Sequence, residues 1–532
     1  MNAISCHSTL RRLAVAAAGS AALLLGGCAV NTSVTDPLKL TAQSTDMPVA
    51  VSITANTDEI SGFNTIKLRR VAEGEKPGGL KLVSENLVMR RVAPGMARDT
   101  ALFIGGLQPG EYEFVELIDT LSNKLLRVYS AGMVGTFKVE SGKATDLGRL
   151  IVTRANFSVD FGRSAYAVSN AELIQRFAPE YHKLFAAGAG PGWTAPRSER
   201  DKVEEFARAH PFGAECAAEL PDGRVAAASR MGAVLLRSKQ GSWSTLNSQQ
   251  TETLSCVLPV TLPDAELIAV GEFGTLLRKA PGGDSLQRID TGNLPPGNLL
   301  RIGGNPRDGW YLMHWKAKQL TIFRSRQLAG GDWQPVHTAM LPSFLSGREA
   351  FFWPWHDARG MGYAMPNGRM GQLDYSTGLW TERTPPGKAK LNGFVHTHDG
   401  TESILVAAGL LGKFPDAYFS HDRGQSWTKV VSPLKVLVSP VVPLNDGRLL
   451  MTGQIYGKRE LAVSGDDGKT WASYADYNFS GEPVMLPSGL MLDVQSSYKG
   501  SVTIRGSADS GKTWRQEYST LDLEVLLKQL KK

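Results

Sequence analysis

The chain has 532 residues, with apolar residues at 42% and charged residues at 20%. That balance excludes a disordered or collagen-like chain, and the length exceeds what one compact core serves, so two or three domains are expected. The formal charge of +7 is too modest to name a partner by itself unless it is concentrated in one place.

Arg11 and Arg12 form a basic start, followed by an apolar run from Leu13 to Leu25 and then "LGGC", ending at Cys28. The apolar run is too short for a stable membrane span, and small residues precede the cysteine, so residues 1–27 read as a cleaved export signal. The stretch resembles the bacterial lipoprotein lipobox, which implies a mature chain beginning at a diacylated Cys28. Ala29 in the second mature position resembles the outer-membrane sorting pattern, a reading that holds for a host with two membranes. The resemblance therefore implies an outer-membrane lipoprotein facing the periplasm or the outside. Loss of Arg11 and Arg12 takes the charge to +5. With Cys6 removed and Cys28 lipidated, Cys216 and Cys256 remain, and two thiols in an exported protein predict one disulfide.

Residues 28–45 are polar and aperiodic, a tether. Residues 46–155 alternate strand-like runs with turns, as in "EYEFVEL" and "QPGE", and predict an antiparallel β-sandwich. Its "L-x-PG-x-Y" stretch resembles prealbumin-like and carboxypeptidase-regulatory-like sandwiches. No chemistry is visible there. Residues 156–211 change to helical spacing in "SNAELIQRFAPEYHKLFAA" and "SERDKVEEFARAH", a helical linker.

From about Phe212 a stretch recurs. "SHDRGQSW" (Ser420–Trp427), "SGDDGKTW" (Ser464–Trp471) and "SADSGKTW" (Ser507–Trp514) are full copies, and degenerate copies end at Trp243, Leu286, Trp333 and Trp380. The seven end points lie 43 to 47 residues apart. An earlier tight turn keeps step with them ("PDGR", "PDAE", "RDGW", "DARG", "HDGT", "NDGR", "PSGL"). Each unit therefore reads as strands A, B, C and D, and seven such units over 212–520 predict a seven-bladed β-propeller. The fold class is all-β throughout, with an amphipathic helix over 521–532.

The recurring stretch resembles the Asp-box (BNR repeat) of sialidases, sortilin-type receptors, some glycosidases and photosystem assembly-factor propellers. The resemblance implies structural roles for Ser420, Asp422, Gly424 and Trp427, for Ser464, Asp466, Gly468 and Trp471, and for Ser507, Asp509, Gly511 and Trp514. Seven recurrences suit a folding element, whereas a catalytic group is needed once. The cluster "HTHDG" (His396–Gly400) offers metal-ligand types, but its Asp-Gly falls at the A–B turn of its unit, so no metal and no cofactor is expected. Cys216 and Cys256 fall on strand A of blades 1 and 2, with an offset that keeps them on one pleat face. Either a cross-blade disulfide or two small buried side chains fits. Trp353 and Trp355 fit packing between blades better than a channel lining with His356 and Asp357 exposed.

The A–B and C–D turns share one face of the ring, and the B–C and D–A loops share the other. The second face carries the variation. Its loops present Arg230, Lys316, Lys318, Arg369, Lys413, Lys458, Arg459 and Lys499 against Glu272, Asp416 and Glu460, with Trp315, Phe414, Tyr456 and Tyr498 interleaved and Lys388 and Lys390 added from D–A loops. Such a face concentrates positive potential and suits a protein or glycan ligand, including an anionic one. Two readings follow. The first is a monomeric, lipid-anchored, non-catalytic binding protein with no nucleic-acid partner. "GEFGTLLRK" (Gly271–Lys279) and "GAVLLRS" (Gly232–Ser238) resemble the photosystem stability-factor-like propellers, and this implies binding of polypeptide through a basic face. The second is a sialidase-like or other glycoside hydrolase, which needs two carboxyl groups across one site. The early "Arg-Ile-Pro"-type motif of sialidases is absent, so the first reading is preferred.

Overall fold

A computed structural model of the chain describes residues 30–519 except 42, 57–62, 75–84, 121–123, 128–133, 156–157, 187, 197–201, 342–351, 389, 407–414, 435, 438, 456–457, 477–482 and 497–501. Cys28, the export signal and the C-terminal segment 521–532 lie outside the described residues.

The N-terminal third builds one curled, ten-stranded sheet. Its main order runs Ser158–Arg163, Thr145–Ala155, Met47–Ala55, Thr100–Leu107, Glu85–Val92, Thr65–Val71, Gly110–Asp119 and Lys124–Arg127, with Val30–Ser33 added beside Glu85–Val92 and Phe137–Val139 beside Gly110–Asp119. Strand Glu85–Val92 makes the bend. Its residues 87–90 pair with 65–68, whereas Arg91 and Val92 pair with Phe103 and Leu102. The apolar faces of both limbs meet inside the curl through Val51, Ile53, Leu68, Phe103, Phe114 and Phe137. The expected antiparallel sandwich is seen as one continuous curled sheet instead of two packed sheets, and it is not wholly antiparallel, because Met47–Ala55 pairs in parallel with Thr145–Ala155. The predicted tether is also partly structured. Val30–Ser33 pairs in parallel with residues 85–88, and Asp36 caps the short 3-10 turn Pro37–Lys39 by accepting from the Leu38 N–H.

Three helices follow: α1 (Asn170–Phe177), α2 (His182–Phe185) and α3 (Lys202–Ala209). Ser169 caps α1 by accepting from the Glu172 N–H, as a serine before an apolar-periodic run should. Among the described residues no helix is long and apolar enough to cross a membrane.

Seven antiparallel sheets then form the propeller, blades 1 to 7 spanning 215–247, 254–288, 298–340, 353–383, 391–429, 436–476 and 484–519. Strand A of blade 6 is broken into Val436–Leu437 and Val442–Pro443, both paired with Leu449–Ile455. The A strands of successive blades touch, from blade 1 through blade 5, which puts them at the axis.

How the ring closes was left open by the sequence. No strand is exchanged between blades 7 and 1, since each supplies its own four. Side chains close it instead. Val225, Ala227 and Leu235 of blade 1 pack with Leu492, Val502 and Ile504 of blade 7 in one apolar cluster. Glu517 receives Arg237 Nη2 at 2.6 Å, Arg237 Nε at 2.7 Å and Trp243 Nε1 at 3.1 Å.

Candidate functional site

The recurrent C–D turns are built alike in blades 5, 6 and 7. Ser420 Oγ accepts from the Gly424 N–H at 2.7 Å and donates to Asp422 Oδ1 at 2.7 Å. Asp422 in turn accepts from the Ser426 N–H (2.8 Å) and Ser426 Oγ (2.5 Å). Ser464/Asp466/Thr470 and Ser507/Asp509/Thr513 repeat this pattern. Hydroxyl and amide donors hold Asp422 and Asp466 down to about 2, so each stays a carboxylate acceptor at neutral pH. The backbone turns left-handed at two successive residues, Arg423–Gly424, Asp467–Gly468 and Ser510–Gly511. The second residue of each pair is the glycine of the box, which takes that backbone without strain. Trp471 and Trp514 donate Nε1 to Gly468 and Gly511 carbonyls, both at 3.0 Å, and pack at blade boundaries, as does Trp427. These carboxylates are spent on their own turns.

The "HTHDG" cluster is likewise committed. Asp399 accepts from Thr397, the Thr401 N–H and Thr401 Oγ1 as an A–B turn. His396 lies between Asp357 Oδ2 at 2.9 Å and Glu402 Oε1 at 3.0 Å, under the ring of Trp355 at 3.8 Å. Arg423 reaches Asp357, and Arg383 reaches Glu402 at 2.5 Å. Burial pulls the imidazolium of His396 down, while its Glu402 hydrogen bond pulls it back. This closed ionic group cements blades 4 and 5, and Trp355 serves the same boundary.

The opposite face differs from expectation. Its sector on blades 1 to 3 is covered by the chain's own N-terminal third. Residues 93–99, the turn between two strands of the curled sheet, lie across the B–C loops. Glu272 Oε1 accepts two successive backbone N–H groups, Arg98 at 2.8 Å and Asp99 at 2.9 Å. Asn298 Nδ2 donates to the Met96 carbonyl (2.7 Å), and the Ala317 N–H donates to the Gly95 carbonyl (3.3 Å). Contact is so close that a Cβ on Gly95 would lie 2.6 Å from Ala317 Cα. Asp99 takes Arg230 Nε at 3.1 Å and Thr253 Oγ1 at 2.9 Å. Beside this, Arg149 Nη1 reaches Thr251 (2.8 Å) and Glu252 (3.0 Å) in the D–A loop between blades 1 and 2. Phe273 packs among Met96, Leu173, Ile174 and Phe185. Burial and the neighbouring Asp99 carboxylate push Glu272 up to about 7.

Several expected ligand-face residues are corrected on this ground. Arg230 and Glu272 are buried at 2% exposure each and belong to the docking contact. Trp315 is buried and donates Nε1 to the Ala317 carbonyl at 2.6 Å. Lys316 sits over Phe177 of α1 at 5.9 Å, and Lys318 is exposed beside it. Arg369 of blade 4 is exposed beyond the covered sector, next to Met340, as is Lys390. Lys413, Phe414, Tyr456, Tyr498 and Lys499 lie outside the described residues. Lys458 and Arg459 lie in strand Lys458–Ser464, but their side chains lie outside the description. Among the described residues, then, Arg230 is taken up by the docking contact and is not gathered with Arg369 on an open face.

The sequence missed the counterpart residues Arg98, Asp99 and Arg149, because they lie in a segment that showed no chemistry by itself. The "APG" turn before them (Ala93–Gly95), left-handed at Ala93, was the available signal.

At the axis the structure joins Cys216 and Cys256 by a disulfide, with Cα atoms 4.8 Å apart. His356 of blade 4 brings Nδ1 to 3.7 Å from Cys256 Sγ. Burial, reinforced by Arg301, takes His356 down to about 3, leaving a neutral imidazole. Burial also lowers Arg301 to about 10. Arg98 meets Glu215 at 3.1 Å, and Glu215 and Asp99 hold its guanidinium firmly charged.

No protein-family model matches the chain, and no curated protein matches it. Among solved structures it is similar to YCF48 from Cyanidioschyzon merolae, with 13% identity, 56% of this chain and 95% of that chain covered, and a TM-score of 0.36. It is similar also to a puromycin-hydrolysing peptidase from Mycobacterium tuberculosis (11%, 62% and 56% covered, TM-score 0.40) and a GH74 enzyme from Niastella koreensis (14%, 57% and 65% covered, TM-score 0.28). Those scores are low, and the seven-bladed architecture stands on the strand pairing of the chain itself.

Proposed function

We propose that this chain is a lipid-anchored envelope protein, held by Cys28 in an outer membrane, whose propeller binds a protein partner without catalysis. The binding surface is the sector of the B–C face on blades 4 to 7 that the N-terminal sheet leaves uncovered. It carries Arg369 and Lys390 and, by the sequence reading, Lys413, Phe414, Tyr456, Lys458, Arg459, Tyr498 and Lys499. One observation carries the reading. The same face already holds an irregular polypeptide, residues 93–99, by main-chain hydrogen bonds to Glu272, Asn298 and Ala317. Recognition of backbone groups by loop side chains suits a peptide segment better than a sugar ring, and a cationic sector suits an acidic one.

The hydrolase reading loses its first carboxylate, because Glu272 is shut under residues 93–99. Asp416 is held by Lys429 at 2.9 Å. A photo-crosslinking residue at position 369 tests the proposal in envelope preparations. A discrete adduct is expected at 369, none at control position 467 on the opposite face, and loss on charge reversal at Lys413 and Lys458. Equal labelling from both faces contradicts it, and turnover of a fluorogenic glycoside panel would restore the hydrolase.

A further inference from the structure

We propose that Cys216, Cys256 and His356 form, once their disulfide is reduced, a three-ligand site for a thiophilic d10 cation at the propeller axis, either Cu(I) or Zn(II), the latter with a water in its fourth position. The three ligand atoms come from blades 1, 2 and 4, and all lie within 4.8 Å of one another. The Cys256 Sγ to His356 Nδ1 separation is 3.7 Å. Zinc–sulfur and zinc–imidazole bond lengths set adjacent donors about 3.6–4 Å apart, so this pair already stands at ligating distance.

The backbone is shaped to present these groups. In blade 1 the pairing passes from Glu215↔Ala228 to Ala218↔Ala226, so that Cys216 and Ala217 together oppose one residue. In blade 2 Ser255 is the extra residue, between Leu254↔Gly271 and Cys256↔Val270. Bulges re-aim side chains and gather beside functional sites. Cys216 is also left-handed, with φ of 45°, an uncommon setting for a residue with a Cβ. His356 is held from both sides. Trp355 is stacked on His396, and Asp357 is fixed by His396 and Arg423. Because neighbours on a strand point to opposite faces, locking 355 and 357 into the blade boundary turns 356 away from it.

The donor set selects the cation. Two sulfurs and one imidazole are soft ligands suited to Cu(I) or Zn(II), not to calcium or magnesium. The carboxylate that precedes Cys216 in the chain, Glu215, is engaged by Arg98. Two thiolates carry two negative charges; Zn(II) offsets both by itself, and Cu(I) does so together with the Arg301 guanidinium, which acts on His356. A cross-blade disulfide alone would not need an imidazole brought from a third blade.

The chemistry balances. A dithiol reductant transfers two electrons and two protons, breaking the Cys216–Cys256 bond and becoming a disulfide itself. The cation then replaces the two thiol protons, which leave to solvent, and takes the imidazole lone pair. A disulfide oxidant takes the two electrons and, with two protons from solvent, becomes a dithiol; the Cys216–Cys256 bond re-forms and the cation is released, so the two states exclude each other.

The test uses the full chain carrying C6S and C28S, which leaves these two thiols alone. It is reduced on an immobilised dithiol, separated anaerobically, and titrated with Zn(II) against a chromophoric indicator or with Cu(I) against bicinchoninate. One equivalent per chain is expected after reduction, with a thiolate-to-metal absorption band, and none in the oxidised chain. The arm that binds identifies the cation. His356→Ala should weaken binding at least tenfold while the oxidised variant keeps the parent's melting temperature. Absence of stoichiometric uptake in both arms overturns the proposal, as does uptake that ignores His356→Ala. Circular dichroism of the same samples decides the remaining case: a reduced chain that unfolds and is restored by metal supports the site, and one that stays unfolded with metal refutes it.

Discussion

Blades 1 to 3 and blades 5 to 7 are held together by different means. The C–D turns of blades 1 to 3 are degenerate. Ser325, for example, only accepts from the Gln327 N–H and donates to its carbonyl. Those blades lie under the curled sheet and α1, with buried ion pairs and a shared apolar cluster at the contact. Blades 5 to 7 carry the complete Ser-x-Asp-x-Gly turn, in which the serine and aspartate satisfy the turn's own amides, and blade 5 adds the Arg423 contact to Asp357 of blade 4. Local hydrogen bonds thus hold a blade that stands by itself, whereas long-range docking holds one that is covered. The difference also separates two sectors of one face, one occupied from within the chain and the other left open by the sheet among the described residues.

The largest expected effect breaks the covered side. Arg149 and Glu252 are 0% and 1% exposed at their side chains, so Glu252→Ala strands a buried guanidinium and should cost about 3–5 kcal/mol. Chemical denaturation would show it, with residues 93–99 becoming protease-sensitive first. Next is the closure between blades 7 and 1. Glu517→Ala leaves Arg237 without its carboxylate at about one-tenth exposure, and should cost about 3 kcal/mol, near the lower limit for such a loss. A melting curve that splits into two steps would mark a ring opened at that boundary.

The third effect depends on pH. Glu272 titrates near 7 in the folded chain against an ordinary 4.5, so the folded state binds the extra proton. Its contribution is full below about 4.5 and is lost as pH rises through about 7. Melting temperature should fall between pH 5 and 8 in the parent, and Glu272→Gln should flatten that slope. The smallest effect is on the self-sufficient side. Ser420→Ala removes the acceptor of the Gly424 N–H and should cost about 1 kcal/mol, read by urea denaturation.

The propeller was legible because its signal is periodic: Ser, Asp, Gly and Trp at fixed offsets report a hairpin without any knowledge of neighbours. Strand alternation likewise reported the N-terminal sheet, but not its curl, since the bend lies in a change of pairing partner along Glu85–Val92 that no local pattern encodes. The docked sector was misread for a related reason. Arg230 and Glu272 have the composition of solvated loop residues, and their partners Asp99 and Arg98 lie more than a hundred residues away. Charge counted along a chain cannot distinguish a residue that faces solvent from one that faces a distant counter-ion. The same limit hid His356, whose proximity to Cys256 follows only from ring geometry.

The most direct measurement of the central claim is hydrogen exchange of the intact chain, followed by mass spectrometry. The amides of Arg98 and Asp99, which donate to Glu272, should exchange as slowly as strand A of blade 2, while the exposed Asn367 in the B–C loop of blade 4 exchanges quickly. Fast exchange across 95–99, equal to that of the blade 4 loop, would show that the sheet does not cover blades 1 to 3 and would contradict the account.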